Sequence, residues 1–214
     1  LANSFDFKKE YKDLYMPKTK PTFVNVPKMP FIMIDGKGDP NTCEEYKTAL
    51  EVLYGLSYSI KMSKMNDTQP AGYFEYVVPP LEGLWWIEGD FFDGINILDK
   101  SKFCCTSMIR QPGFVTDEVF VQAKKILSKK KPEANLSLAR LEHYTEGECA
   151  QIMHIGSYDT ESESILKMEE FITSSGYEND ISATRKHHEI YLGDPRKTAP
   201  EKLKTVIRHP VKKS

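Results

Sequence analysis

Short apolar runs alternate along this chain with stripes at helical spacing, and the residues between them mark the turns. "FIMID", Phe31 to Asp35, is an apolar run closed by the turn-rich "GKGDPN", which predicts a strand ending in a turn. Thr42 and Glu45 follow in a T-x-x-E spacing, where hydroxyl and carboxylate each take an unpaired amide at a helix start. Tyr46, Ala49, Leu50, Leu53, Leu56 and Ile60 then recur with helical period and predict one buried stripe. After "NDTQPAG", the runs "YFEYVV" and "EGLWWI" read as a second and a third strand. "KFCCTSMIRQP" reads as another strand, a helix from about Thr116 carries Val119, Ala123, Ile126 and Leu127 on one face, and "SLARLEHYTEG" reads as the strand beyond it. The grammar then repeats: "AQIMHI", a second T-x-x-E pair at Thr160 and Glu163, a stripe of Ile165, Met168 and Ile172, then "HHEIYL" and "LKTVIRHPV". Ahead of all this, the prolines of "MPKTKPTFVNVPKMP" favour an extended strap.

The shared order, strand, capped helix, strand, strand, is an internal duplication seen in pattern more than in identity. It places a first repeat at about 22–90, a linking strand and helix at about 100–135 and a second repeat at about 136–212, all in one domain spanning 1–214. Each unit leaves a sheet with helices on one face. Two of them side by side give an α+β fold with pseudo-twofold symmetry and a central aromatic groove along the join, where pockets form.

Strand alternation selects the candidate chemistry. In "HHEIYL", His188, Ile190 and Leu192 project one way and His187, Glu189 and Tyr191 the other. With the apolar set expected under the helices, Glu189 and Tyr191 face the open side, where the groove is expected. Glu75 is expected in the corresponding place in "YFEYVV", on the same face as Tyr73 and Val77. A carboxylate walled by rings loses hydration, which raises its pKa and suits it to hold a cation or move a proton. Trp85 and Trp86 are the chain's two tryptophans, and a regular strand points them to opposite faces, so one is expected to line the groove. Glu82, before Gly83, is expected in a turn as a solvated or capping residue, and Glu88 where that strand ends.

Composition narrows the classes. The 214 residues carry a net charge of -2 with both signs interspersed, so no global field recruits nucleic acid or an anionic membrane. No apolar run reaches membrane-spanning length and the N-terminus is unlike a signal peptide, which together with unpaired cysteines reads as a cytoplasmic protein with reduced thiols. The adjacent His187 and His188 and the solitary His154 have no metal-ligand spacing, and neither a nucleophile elbow nor a phosphate-cradling glycine pattern is present, so no metal or cofactor is expected. "KKILSKKK" reads as a solvated helix end.

"FDFKKEYKDLY", "VPKMPFIMIDGKGDPN", "LYGLSYSIKM", "VVPPLEGLWW", "RQPGFVT", "MHIGSYDTE" and "HHEIYLGDPRKTAPEKLKTVIRHPV" together resemble the GyrI-like small-molecule-binding family, over nearly the whole chain. The resemblance implies binding of planar, often cationic, aromatic compounds against an acidic residue. By "HEIYL" that residue is Glu189, with Tyr191 beside it, and by "EGLWW" the wall is Trp85 and Trp86; Tyr73, Glu75, Tyr76 and His154 complete the expected ligand contacts. Without an attached DNA-binding domain a stand-alone role is implied. A branch of stand-alone members hydrolyses the cyclopropane ring of DNA-alkylating natural products, which would make Glu189 and Tyr191 catalytic. A gyrase partner rests on the family name alone, with no surface motif here to support it.

Overall fold

The apolar runs pair into a nine-stranded sheet, which the computed structural model describes over residues 4–87, 95 and 100–214. Its strands are β1 (Thr22–Val26), β2 (Met29–Lys37), β3 (Leu81–Ile87), β4 (Phe103–Arg110), β5 (Arg140–Tyr144), β6 (Gly147–Ile155), β7 (Tyr177–Asn179), β8 (His187–Tyr191) and β9 (Lys204–Lys213). They lie in the order β1-β6-β9-β8-β3-β4-β2-β5, with β7 on the end of β9, and every ladder is antiparallel.

That order reads the same from both edges once the repeats are recognised. One unit is β2, helix α3 (Glu44–Lys61), β3 and β4; the other is β6, helix α5 (Glu161–Ser174), β8 and β9. The units meet where β3 pairs with β8, setting Gly83 opposite Glu189 and Trp85 opposite His187. At the edges the units exchange strands, since β1 pairs with β6 and β5 with β2. The duplication and its pseudo-twofold are therefore present, but two strands differ from the sequence reading. "YFEYVV" is no strand and contributes one bridge, Tyr76 to Phe5. "KFCCTSMIR" is β4, the last strand of the first unit, and not a linker between units. The strand matching β8 is thus β3, so Glu189 corresponds to Gly83 and not to Glu75.

α3 buries Val52, Leu53, Leu56 and Ile60 against Ile32, Ile34 and Ile109, while α5 buries Ile165, Met168 and Ile172 against Ile152 and Ile207. Each such side chain contributes about 1.5–3 kcal/mol on leaving water. Helix α4 (Asp117–Lys130), capped by the Thr116 hydroxyl at 3.4 Å from the Val119 amide, adds Ala123 and Leu127 to the α3 cluster. Neither expected capping box forms: Cys43 occupies the N-cap of α3, and the Thr160 hydroxyl donates to the Ser157 carbonyl instead.

The other face of the sheet is covered by an N-terminal strap with two short helices, α1 (Phe7–Glu10) and α2 (Lys12–Tyr15). Phe7, Leu14 and Tyr15 pack there on Met108, Ile190 and Val206. Beneath them lies a buried polar network. Arg208 donates to Glu146 at 2.9 Å and to the Leu14 carbonyl at 2.7 Å, and His188 sits between Glu146 (3.0 Å) and Glu82 (3.1 Å), which also accepts from Tyr15. Two carboxylates face two cations, so the buried charges balance, as a low-dielectric interior demands. Glu82, expected in a solvated turn, is instead 1% exposed within β3; Glu88 lies outside the described residues. Among the described residues no helix is long and apolar enough to cross a membrane.

Candidate ligand groove

Because the strap supplies a second apolar core, the alternation of β8 is oriented opposite to expectation. Ile190 and His188 point to the strap, whereas His187, Glu189 and Tyr191 point to the face that carries α3 and α5. Glu189 therefore lies on the central strand pair, between the two helices.

Its carboxylate is only 13% exposed and is held by two donors: His187 Nε2 at 2.8 Å on one oxygen and the Tyr191 hydroxyl at 2.7 Å on the other. Burial opposes its charge, but the hydrogen bonds and the positive field of His187 outweigh burial and hold its pKa below the ordinary carboxylate value. Rings alone would have raised it, as the sequence suggested. The donors reverse the sign.

Gly83 explains how a tryptophan reaches this spot. A Cβ at 83 would stand 2.7 Å from Trp85 Nε1, so only glycine lets the indole fold back across the strand. From there Trp85 Nε1 donates to the Tyr191 oxygen at 2.8 Å, and the Tyr191 hydroxyl in turn donates to Glu189 at 2.7 Å. Tyr46 of α3 and Phe103 pack on Trp85, and Tyr158 meets Tyr191 edge-on at 5.9 Å. Burial first, with Cys105 and Glu189 behind it, raises the hydroxyl pKa of Tyr46, and burial with Glu161 and Glu189 raises that of Tyr158 to about 12, so both stay neutral donors. The result is a ring of aromatic side chains over one anion.

A second carboxyl was not singled out from sequence. Glu161, the first residue of α5, is 6% exposed, and one of its oxygens has no hydrogen-bond partner. Burial, then the charge of Glu189, push its pKa well above the ordinary carboxylate value. Two neighbouring carboxyls are thus pushed in opposite directions, Glu161 toward its neutral form and Glu189 toward its charged form. The sequence signal lay inside the T-x-x-E pair, whose capping assignment fell on Glu163, two residues too far. Behind Glu189, His187 Nδ1 lies 2.8 Å from His209 Nε2, and His209 Nδ1 lies 2.8 Å from Glu169 on α5. His209 and Glu169 escaped the sequence reading, since β9 and α5 carry no motif that pairs them.

The remaining expected contacts scatter. Trp86 faces the strap side, in a cleft of about 420 Å³ with Met33, Leu84, Thr106 and Lys186, whose ammonium lies 4.9 Å over the indole. Tyr76 is buried against Phe7 under the strap, Tyr73 donates to the Lys61 carbonyl, and Glu75 pairs with Lys64, all away from Glu189. His154 is on the groove face but is engaged by Ser164 at 2.9 Å and the Ser157 carbonyl at 3.0 Å.

A duplicated α+β sheet with an anion under aromatic rings is the architecture of a small-molecule-binding domain. The chain belongs to the GyrI-like small molecule binding domain family, which matches residues 19–212. No curated protein matches it. Among solved structures, an uncharacterized conserved protein from Listeria innocua is 50% identical with a TM-score of 0.92, across 98% of this chain and 100% of that one. A Listeria innocua protein described as a hydrolase encoded by lin2189 is 48% identical with a TM-score of 0.90, over the same shares of the two chains. The C-terminal domain of EcmrR, at 10% identity and a TM-score of 0.52 over 91% of this chain and 98% of that one, shares the fold.

Proposed function

We propose that this protein captures planar, hydrophobic, often cationic aromatic compounds in the groove between α3 and α5, with Glu189 as counter-charge. One observation carries the reading: an ionised carboxylate, 13% exposed, lies beneath Trp85, Tyr46, Tyr158 and Tyr191. A flat cation slipped among those rings gains cation–π attraction of about 0.5–2 kcal/mol together with a shielded ion pair. The test is fluorescence titration with N-methylacridinium. Glu189→Gln and Trp85→Ala are each expected to weaken binding at least about tenfold, roughly 1.4 kcal/mol. Affinity indifferent to both changes refutes the groove.

The carboxyl pair also favours a second reading, hydrolysis of a cyclopropane fused to a dienone. Neutral Glu161 gives its proton to the carbonyl oxygen as the ring carbon–carbon bond breaks and its electrons form a phenol. Water adds to the released carbon, and its proton passes to Glu189. Neighbours described as hydrolases lend support. Tyr191, committed to Glu189, positions that base and leaves proton donation to Glu161. Mass spectrometry of a cyclopropanoid alkylator incubated with the protein is expected to show water addition, lost in Glu189→Gln and in Glu161→Gln. Binding without any addition leaves capture as the activity.

A further inference from the structure

Glu189 does not end at its two donors. On the side away from Tyr191 it begins a file of hydrogen-bonding groups: Glu189, His187, His209 and Glu169, joined by three contacts of 2.8 Å each. Both imidazoles are fully buried, whereas the Glu169 side chain on α5 is 31% exposed. The file therefore runs from the groove floor across β8 and β9 to α5 and solvent.

Proton counting sets its charge. His187 must donate through Nε2 to Glu189, and His209 must donate through Nδ1 to Glu169, because carboxylates only accept. The central contact between the two rings then needs one further proton. Counted over the described contacts, three protons on four ring nitrogens make the pair a shared monocation between two carboxylates. Asn179 shares the outer acceptor: its oxygen accepts from the Ile181 amide, so its Nδ2 and the His209 Nδ1, 3.1 Å apart, converge as donors on the same Glu169 oxygen at 2.8 Å each.

We propose that the groove exchanges a planar cation for a proton, which leaves through His187 and His209 to Glu169 at the surface of α5. The inference rests on the groove reading above and adds its regulation. A cation arriving at Glu189 takes over the role of the histidine charge, and the third proton is repelled along the file. Affinity for the cation then rises with pH, by up to about tenfold per pH unit while one proton is released. A flat neutral ligand expels nothing.

Other titratable groups face this centre. Tyr191 and Tyr46 stay protonated, pushed upward by burial first; Tyr158 and Asp194 lie farther out at the groove mouth; His188 acts from the strap side. Among the described residues Glu161 is the competing source, because its raised pKa leaves it a proton to lose when a cation binds. The experiment must separate it from the histidines.

Calorimetric titration of the full protein with N-methylacridinium, in buffers of differing ionisation enthalpy, counts the protons released, with neutral acridone as control. Wild type is expected to release close to one proton per cation and none per acridone. His209→Gln, which leaves a neutral His187 still donating to Glu189, is expected to abolish release and flatten the pH dependence. Glu169→Gln, at a half-exposed site that tolerates the change, is expected to move release to lower pH. Full release in both variants, with loss only in Glu161→Gln, overturns the relay and assigns the proton to Glu161, while the groove survives. Cation binding unaffected by Glu189→Gln sinks the groove and the relay together.

Discussion

Glu146→Gln probes the buried charge network that ties the strap to the central strands. Arg208, His188, Glu146 and Glu82 are all essentially inaccessible, and Glu146 bonds both cations. Although burial alone works the other way, the two cations lower the Glu146 pKa to about 2, and the two carboxylates raise that of His188 to about 9. The signs follow by linkage. Glu146, depressed in the folded state, stabilises fully above about pH 4.5, and this is lost as pH falls toward 2. His188, raised from 6.5, stabilises fully below pH 6.5, and this is lost as pH climbs to about 9. At about 1.4 kcal/mol per pH unit the latter loss is of order 3 kcal/mol. Glutamine keeps the shape at 146 but leaves two cations against one carboxylate, costing about 3–5 kcal/mol of a net stability near 5–15 kcal/mol.

The assay is urea unfolding from pH 5 to 9.5 in a Glu161→Gln background. That background is needed because Glu161, also raised in the folded state, contributes a fall of the same sign starting near pH 4.5. Parental stability is expected to decline by roughly 3 kcal/mol between pH 6.5 and 9, and the decline to at least halve in Glu146→Gln. A parental curve flat or rising across that interval refutes the protonated His188 and the charge balance built on it. Since His188 and Glu189 are neighbours on β8, the same variant is also expected to loosen the groove floor and weaken dye binding.

Three further outcomes follow from the groove geometry. Gly83→Ala puts a methyl 2.7 Å from Trp85 Nε1, so the indole must swing off Tyr191; cation affinity should fall and tryptophan fluorescence shift, with native far-ultraviolet dichroism. Tyr191→Phe removes a donor to Glu189 and the acceptor for Trp85, raising the Glu189 pKa and costing about 1–3 kcal/mol of cation binding near neutral pH, less once higher pH restores its charge. Trp86→Ala, on the opposite face, should leave cation affinity within about twofold of wild type, roughly 0.4 kcal/mol, in contrast to Trp85→Ala.

Much of this was legible in short stretches of sequence. The stripes of α3 and α5 announced their own period, and strict alternation in "HHEIYL" correctly grouped His187, Glu189 and Tyr191 apart from His188 and Ile190. Which group faced the helices was not legible, because alternation is blind to a second cover. The strap's Phe7, Leu14 and Tyr15 create an apolar core on the far face, and nothing local to β8 reports it. "YFEYVV" misled for a related reason. Its aromatics are ordered by Phe5, Phe7 and Phe114 instead of by a ladder, and composition alone does not distinguish those environments. Pairing set the rest: β4 looked like a linker until its register against β3 and β2 was seen, and Glu161, His209 and Glu169 gain meaning only through neighbours far away in the chain.

Soaking crystals with N-methylacridinium addresses the central proposal most directly. The aromatic cation is expected between α3 and α5, its rings against Trp85 and Tyr158 and its charged nitrogen toward Glu189. A dye seated instead against Trp86 and Lys186 on the strap face, with the groove empty, contradicts it.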